Sequence, residues 1–254
     1  MSALTNMVKI ETRLFLRDSA TVIFGVLFPP ALLLGLGAIP ALREASPETG
    51  GLRPIDIWAP TALVFGMVMI AVQHVPGVVA TYRERGILRR LSTTPAHPRG
   101  VLFAQMIVAF ASVIGSAALM IFVAWAVLDI APPAQPLEFV VAFIVGYAAL
   151  LGIGMISAAV VRTSSAANQI GTLLFVALMF FGGAFLPRVL MPDVLREIGE
   201  LIPPGLQALT TAWSAEAGEI TATAGGQPFW LQIAVTAGIA VIASGIAAKL
   251  FRWE

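Results

Sequence analysis

The sequence predicts an all-α polytopic membrane protein with six transmembrane helices. Of its 254 residues, 58% are hydrophobic and 11% are charged, a composition that long apolar stretches produce. Six runs carry no charged residue, and each exceeds the roughly 20 residues that a helix needs to cross a bilayer. These runs comprise residues 19–42, 57–82, 100–128, 139–161, 163–187 and 220–248. We expect a single transmembrane domain over residues 1–254.

Residues 1–18 precede the first run and are predicted to form an amphipathic helix in the membrane interface. Lys9, Arg13 and Arg17 recur on one helical face, opposite a mostly apolar face. Glu11 and Asp18 fall within the apolar face. A carboxylate placed there either needs a protein partner or stays hydrated at the edge of the face. We assign both to the coupling of this interfacial helix to the rest of the protein.

The first two runs contain prolines and two strongly polar neighbours. Pro29 and Pro30 remove backbone donors and predict a kink near the middle of the first span. Gln73 and His74 lie deep in the second run, shortly before Pro76. They are candidates for a substrate path or a proton contact. Alternatively, and in our interpretation preferably, they hydrogen-bond backbone carbonyls that Pro76 leaves free.

The outer segment of residues 188–227 is predicted to contain two short helices. "DVLREIGELI" and "LQALTTAW" each show helical spacing of apolar residues, and "PPG" at residues 203–205 separates them. Both are too short to span. They are expected to lie at the outer leaflet or to re-enter it, with Trp213 as an interfacial anchor. The stretch "AGEITATAGGQP" that follows is predicted to be a loop.

The distribution of charge predicts the topology. The N-terminal segment, the loop after Tyr82, Arg162 and the C-terminus hold most of the Lys and Arg residues, and the opposite loops hold most of the acids. A basic excess is typical of the cytoplasmic face, so both termini are expected inside. The preference for Arg over Lys, with abundant Ala and Gly, indicates a GC-rich bacterial genome. We therefore expect a multi-pass protein of the bacterial cytoplasmic membrane.

Several functional classes lack the residues that they need. The chain has no cysteine, no G-x-x-x-x-G-K-[ST] phosphate loop and no H-E-x-x-H motif. His74 and His97 have no carboxylate at metal-ligand spacing. The absence of acids from the six runs disfavours ion-coupled transporters and intramembrane hydrolases. The sequence therefore predicts a chain that is not an enzyme and binds no metal, nucleotide or nucleic acid.

The loop of residues 82–99, "YRERGILRRLSTTPAHPR", holds five arginines between two apolar runs. As a helix, residues 83–91 present an apolar face within a basic surface, and Pro95 and Pro98 end the helix. The apolar face holds Ile87, Leu88 and Leu91 with Glu84, and the basic surface holds Arg83, Arg85, Arg89 and Arg90. Such clusters often do no more than fix topology and attract anionic lipid headgroups.

The loop resembles that of the type-2 permease family of ATP-binding-cassette exporters, which includes permeases of the daunorubicin-resistance type. The family's loop between the second and third spans reads approximately E-R-E-x-G-T-L-x-x-L-x-x-T-P-x-x-P. "YRERGILRRLSTTPAHP" reproduces it at Glu84, Gly86, Leu88, Leu91, Thr94, Pro95 and Pro98, and departs from it at Tyr82, Ile87 and Arg90. "FLPRVLMPDVLREIGELIPPGLQAL" is similar to the family's segment before the last span.

The resemblance implies the permease subunit of an ATP-driven exporter for hydrophobic or amphipathic compounds, such as drugs or lipid-like molecules. A separate ATPase subunit would bind ATP and Mg, and this chain would bind no cofactor. Membrane lipid and a second permease chain, in a homodimer, would be the other partners. The alternatives are a glycan-exporting permease, a secondary transporter outside this family, and a receptor-like or structural protein whose loop binds lipid or a soluble partner.

The resemblance also implies that the loop docks on the ATPase. The implied docking residues are Arg83, Glu84, Arg85, Gly86, Ile87, Leu88, Arg89, Arg90, Leu91 and Pro95. The three apolar side chains are expected to enter a cleft of the partner, the arginines to meet an acidic rim, and Gly86 to allow close backbone approach. We also expect Glu11 or Asp18 to pair with one of the loop arginines, because both segments lie at the same interface.

Overall fold

The computed structural model describes residues 3–91, 98–161, 163–185, 191–222 and 227–251. Within these ranges the chain forms helices and short connections, and no strand occurs there. The α-helices are α1 (Ala3–Arg17), α2 (Ser19–Thr21), α3 (Phe28–Gly37), α4 (Pro40–Arg43), α5 (Pro54–Val68), α6 (Val75–Glu84), α7 (Ile87–Leu91), α8 (Pro98–Leu128), α9 (Pro136–Val160), α10 (Ser164–Phe181), α11 (Asp193–Leu201), α12 (Leu206–Trp213), α13 (Ala215–Thr221) and α14 (Phe229–Leu250).

Six helical segments in the described ranges are long and apolar enough to cross a membrane, which confirms the predicted fold class. They are span 1 (Ser19–Gly37), span 2 (Pro54–Glu84), span 3 (Arg99–Leu128), span 4 (Pro136–Val160), span 5 (Ser164–Phe181) and span 6 (Phe229–Leu250). Spans 1 and 2 are composite, since each joins α-helices through a π-helical turn.

Each π-helical turn lies directly before prolines. Val22–Leu27 precedes Pro29 and Pro30, and Met69–His74 precedes Pro76. Proline lacks the N–H that would continue the α-helical ladder, and a wider turn is one way to accommodate the missing donor. A π-helical turn therefore lies close to the site of the kink predicted in span 1, and span 2 contains a second such turn.

Span 2 lies at the centre of the bundle. Of its most apolar window, 72% is buried, compared with 22% to 56% in the other five spans. Span 2 contacts α3, α8, α9, α10 and α12, whereas α14 packs mainly along α9. Two glycines allow α9 and α10 to approach span 2 closely. A Cβ added at Gly154 would overlap with the carbonyl oxygen of Ala71, and one added at Gly171 would lie 2.9 Å from the carbonyl oxygen of Val72.

Helix α1 forms where the sequence predicts it and packs against α8. Glu11 and Phe15 are buried, whereas Lys9, Arg13 and Arg17 are exposed. Only Glu11 and Phe15 of the face that the pattern identified therefore turn toward the bundle, whereas Leu4, Ile10 and Leu14 of that face are exposed.

Helix α12 is buried among the spans. Trp213 is 3% exposed and packs edge-on against Phe139, with ring centroids 5.6 Å apart. The prediction that Trp213 is an interfacial anchor is therefore wrong. The polar residues of α12 are satisfied within the chain, as where the amide of Gln207 donates to the carbonyl of Gly218 at 2.7 Å, so no face of this helix needs water.

The stretch predicted as a loop after Trp213 contains a further helix, α13. The hydroxyl of Ser214 caps it by accepting from the backbone N–H of Ala217 at 3.3 Å. Residues 186–190 and 223–226 of the predicted outer segment lie outside the described residues.

Candidate functional site

The loop after span 2 consists of two helices separated by a turn, which we call the hairpin, and not of one continuous helix. Helix α6 ends at Glu84, the chain turns at Arg85 and Gly86, and α7 follows. Gly86 has a φ of +65°, a conformation that glycine adopts without a steric penalty. A Cβ added there would meet nothing within 4 Å. The residue therefore serves the turn, and the space beside it leaves room for the close backbone approach of a partner, which stays a prediction.

Arg83 holds the end of span 4. Its guanidinium donates to the carbonyl oxygens of Ala158 at 2.8 Å and Val161 at 2.9 Å, and lies 5.0 Å from the ring centroid of Phe251. The last carbonyls of a helix lack intrahelical donors, and a cation there also interacts favourably with the helix dipole. Arg83 thus caps α9 from span 2 and places the segment after α14 at the same end of the bundle.

Glu84 holds the start of span 5. Its carboxylate accepts from the backbone N–H of Ser164 at 2.9 Å and from the hydroxyl of Ser164 at 2.8 Å. Ser164 is the first residue of α10, whose leading N–H groups need external acceptors. Two adjacent residues of span 2 therefore cap the helices on both sides of the span 4–span 5 connection, a role that the sequence did not predict for them.

The remaining loop residues divide into buried and exposed sets. Leu88 is 1% exposed, so its expected insertion into a partner cleft is wrong and it packs within its own chain. Ile87 and Leu91 are partly exposed. Arg89 and Arg90 of α7 are exposed, as is Arg85 of the preceding turn, and we call these three residues together the basic face of α7. Pro95, the last implied docking residue, lies outside the described residues, as does His97.

A second candidate site is a cavity of about 530 Å³ between α1, span 1 and span 2, with contributions from spans 3 and 5. We call it the α1 cavity. Its polar lining includes Glu11, Asp18, Gln73, His74, Tyr82 and Gln105. Both carboxylate oxygens of Glu11 lie 2.9 Å from the hydroxyl of Tyr82, which donates to them. Glu11 is 5% exposed.

A chain of hydrogen bonds crosses the cavity and ends at Asp18. The hydroxyl of Thr21 donates to Asp18 Oδ2 at 2.6 Å, so the contact of 2.8 Å between Thr21 Oγ1 and His74 Nδ1 requires the proton on Nδ1. His74 Nε2 then accepts from the amide of Gln105 at 3.1 Å. Every donor in the chain points toward Asp18, and the arrangement fits a neutral imidazole.

The two carboxyl groups differ in electrostatic environment. Burial raises the pKa of Glu11, and the hydrogen bond from Tyr82 offsets this only in part. Burial also acts to raise the pKa of Asp18, but hydrogen bonds from Thr21 and the nearby His74 outweigh it, so that pKa lies below its usual value. Asp18 therefore carries the negative charge of the cavity more readily than Glu11.

The expected pairing of Glu11 or Asp18 with a loop arginine is not what forms. Glu11 reaches the loop through the phenol of Tyr82, and Asp18 binds Thr21 and lies 3.3 Å from His74. The preferred interpretation of Gln73 and His74 is also wrong, because their partners are side chains: Gln73 donates to Thr172 at 3.4 Å, and His74 contacts Thr21 and Gln105.

Composite helical spans around a buried central helix, joined at one end by a basic hairpin, define a multi-pass helical membrane protein. The sequence pattern of the ABC-2 type transporter family matches residues 2–205, and the chain belongs to that family. This confirms the resemblance carried by the loop and makes the chain the membrane-spanning permease of an ABC-type transporter. No curated protein matches the chain at a significant level.

Proposed function

We propose that this chain is the permease subunit of an exporter that moves hydrophobic or amphipathic compounds out of a bacterial cell. ATP is hydrolysed on a separate ATPase subunit, and the hairpin of α6 and α7 receives that subunit at the cytoplasmic face. Family membership and the lack of a phosphate-binding loop in the sequence support the assignment of ATP hydrolysis to a separate subunit.

The observation that carries the proposal is the pair of caps made by Arg83 and Glu84. Through them the base of the hairpin is bonded to the last turn of span 4 and the first turn of span 5. A displacement imposed on α7 is therefore transmitted to three spans at once. Alternating access requires such a rigid connection between the site of ATP-driven movement and the helices that open and close the path.

The basic face of α7 suits an acidic surface on the ATPase. Arg85, Arg89 and Arg90 contribute orientation and association rate, while the partly exposed Ile87 and Leu91 contribute apolar area. The two apolar side chains flank the buried Leu88, so docking and internal packing use different sides of one short helix.

A second permease chain completes the path beside span 5. Ser165, Asn168, Gln169 and Thr172 recur at helical spacing on an exposed face of α10. Polar side chains facing lipid are costly, so this stripe is better placed against a second copy or a water-filled path. The amide of Gln73 donates a hydrogen bond to Thr172 at the edge of this stripe, so we retain Gln73 as a candidate residue of the path.

The test is affinity purification of the tagged permease from its native membranes, followed by reconstitution and assay of ATP-dependent dye uptake into inside-out vesicles. We expect an ATPase with a phosphate-binding loop to co-purify, and the combined variant Arg85→Glu, Arg89→Glu, Arg90→Glu to lose it. Arg43→Glu, at an exposed arginine near the opposite end of the bundle, is the matched control and should retain it. ATP hydrolysis by the isolated chain, or equal ATPase recovery with both variants, would contradict the proposal.

A further inference from the structure

We infer that the α1 cavity binds an organic cation with an apolar body. The cavity has the volume of a site for a drug-sized molecule. It combines the carboxylates of Glu11 and Asp18 with the aromatic rings of Phe15, Phe24 and Tyr82. Carboxylates and aromatic faces together are the groups that recognise ammonium and related cations in proteins.

The electrostatic sign of the cavity is negative. No lysine or arginine occurs among the described residues that line it, and His74 fits a neutral ring because its Nε2 accepts from the amide of Gln105. The hydrogen-bond chain from Gln105 to Asp18 directs its donors toward one carboxylate, and no cation from a described residue neutralises that carboxylate. Net negative charge in a partly enclosed space attracts a cation more strongly than the same charge in water.

Glu11 gives a second and independent indication. It is 5% exposed, yet a single neutral hydroxyl serves both of its oxygens. An ionised carboxylate can accept about four hydrogen bonds, so a buried one with one donor is under-satisfied. A cation in the cavity supplies the missing compensation.

The cavity also has an apolar opening that fits an amphipathic ligand. Phe24 is 46% exposed and Leu14 is 47% exposed at its edge, while the side chain of Asp18 is 41% exposed within it. An apolar body can therefore lie against Phe24 and Leu14 with its charge at Asp18. As a transport substrate site this inference rests on the proposed function, but as a binding site it can be tested without an ATPase.

The experiment uses the full-length permease in nanodiscs of uncharged lipid, with tetraphenylphosphonium as the probe. Tetraphenylborate, which has nearly the same size and the opposite charge, is the matched ligand control. Binding is measured by equilibrium dialysis, with empty nanodiscs subtracted. We expect Asp18→Asn to weaken binding of the cation about tenfold, because the attraction of one full negative charge is lost, and to leave binding of the anion unchanged or stronger. Asparagine can still cap α2, so the variant is expected to fold.

Further variants decide the remaining outcomes. Glu11→Gln should also weaken cation binding, Asp18→Glu should retain it, and Glu219→Gln, at an exposed carboxylate remote from the cavity, should have no effect. The inference is overturned if the cation binds Asp18→Asn and Glu11→Gln as it binds the unaltered chain, or if both variants weaken the two probes equally. A permease that binds the cation but recovers no ATPase contradicts only the proposed function, and one that couples to an ATPase without binding the cation contradicts only this inference.

Discussion

Glu84 and Ser164 are joined by two hydrogen bonds, one from the backbone N–H of Ser164 and one from its hydroxyl, at 2.9 and 2.8 Å. The contact ties the end of span 2 to the first turn of span 5. Arg83, the preceding residue, makes the equivalent contact with the last turn of span 4. Arg83 and Glu84 therefore have a structural role within the chain, unlike the exposed arginines that follow them.

Arg83→Ala is expected to lower the stability of the permease, whereas Arg85→Ala is not. The first variant leaves two carbonyls at the C-terminal end of α9, those of Ala158 and Val161, without their donor and removes the cation from the ring of Phe251. The expected loss is about 1 to 3 kcal/mol. Thermal unfolding in detergent measures it. Equal unfolding temperatures for the two variants would show that the cap contributes nothing.

Gly86→Ala should destabilise the hairpin by about 1 to 2 kcal/mol because an L-residue is strained at its φ of +65°. Gly86→Asn should cost less, since asparagine tolerates this conformation better. Gly115→Ala is the control: that glycine lies within α8, a Cβ there would also meet nothing within 4 Å, and alanine favours a helix. The readouts are unfolding temperature and co-purification of the ATPase. The turn assignment fails if Gly86→Ala matches Gly115→Ala in both.

Leu88→Ala and Leu91→Ala should act at different stages. Leu88 is buried, so its truncation is expected to cost about 2 to 5 kcal/mol of stability and to reduce the yield of folded permease. Leu91 is partly exposed, so its truncation should mainly weaken ATPase binding. Gel filtration reports the first effect and co-purification the second. A reversed pattern would mean that Leu88, and not Leu91, faces the partner.

Glu11 should make stability depend on pH. Its pKa in the folded protein is raised by burial, so the folded state binds its proton more tightly than the unfolded state does. Stability is then highest where Glu11 is protonated and falls as the pH rises from the ordinary glutamate pKa through the raised one. Glu11→Gln should remove this dependence. The variant should therefore gain more in unfolding temperature over the unaltered chain at pH 8 than at pH 4.5. Each kcal/mol gained in the free energy of unfolding corresponds to roughly 2 to 4 °C. A variant that tracks the unaltered chain at both pH values would exclude this effect.

Much of the fold follows from sequence because the thickness of a bilayer imposes a length on every span. A charge-free run of that length has few alternatives, and the match between runs and spans reflects this. The helical projection of residues 1–18 also identified Glu11 as an inward carboxylate. Apolar spacing alone does not distinguish a helix that contacts lipid from one that contacts protein, so α12 was expected at the outer leaflet or re-entering it, and Trp213 was assigned to the membrane interface.

The contacts at both sites join residues that are far apart in sequence, which local patterns cannot reveal. Arg83 and Ala158 are 75 positions apart, and Thr21 and His74 are 53 positions apart. The arginine-rich loop was recognisable as a unit. The projection from sequence assumes one continuous helix, but the turn at Gly86, with its positive φ, breaks that helix. The projection therefore does not show which members form internal caps, which pack internally and which are exposed.

The π-helical turn at Met69–His74 has a mechanical consequence. Such a turn contains about one residue more than an α-helical turn, and one residue of α-helix corresponds to about 100° of rotation and 1.5 Å of rise. Conversion of this turn to α-helix would therefore twist α6 against α5 in a single discrete step. Because Arg83 and Glu84 lie at the far end of α6, the same step would swing both away from the termini of α9 and α10. The rotation of the end of span 2 relative to its start is therefore set by whether these six residues are π-helical or α-helical.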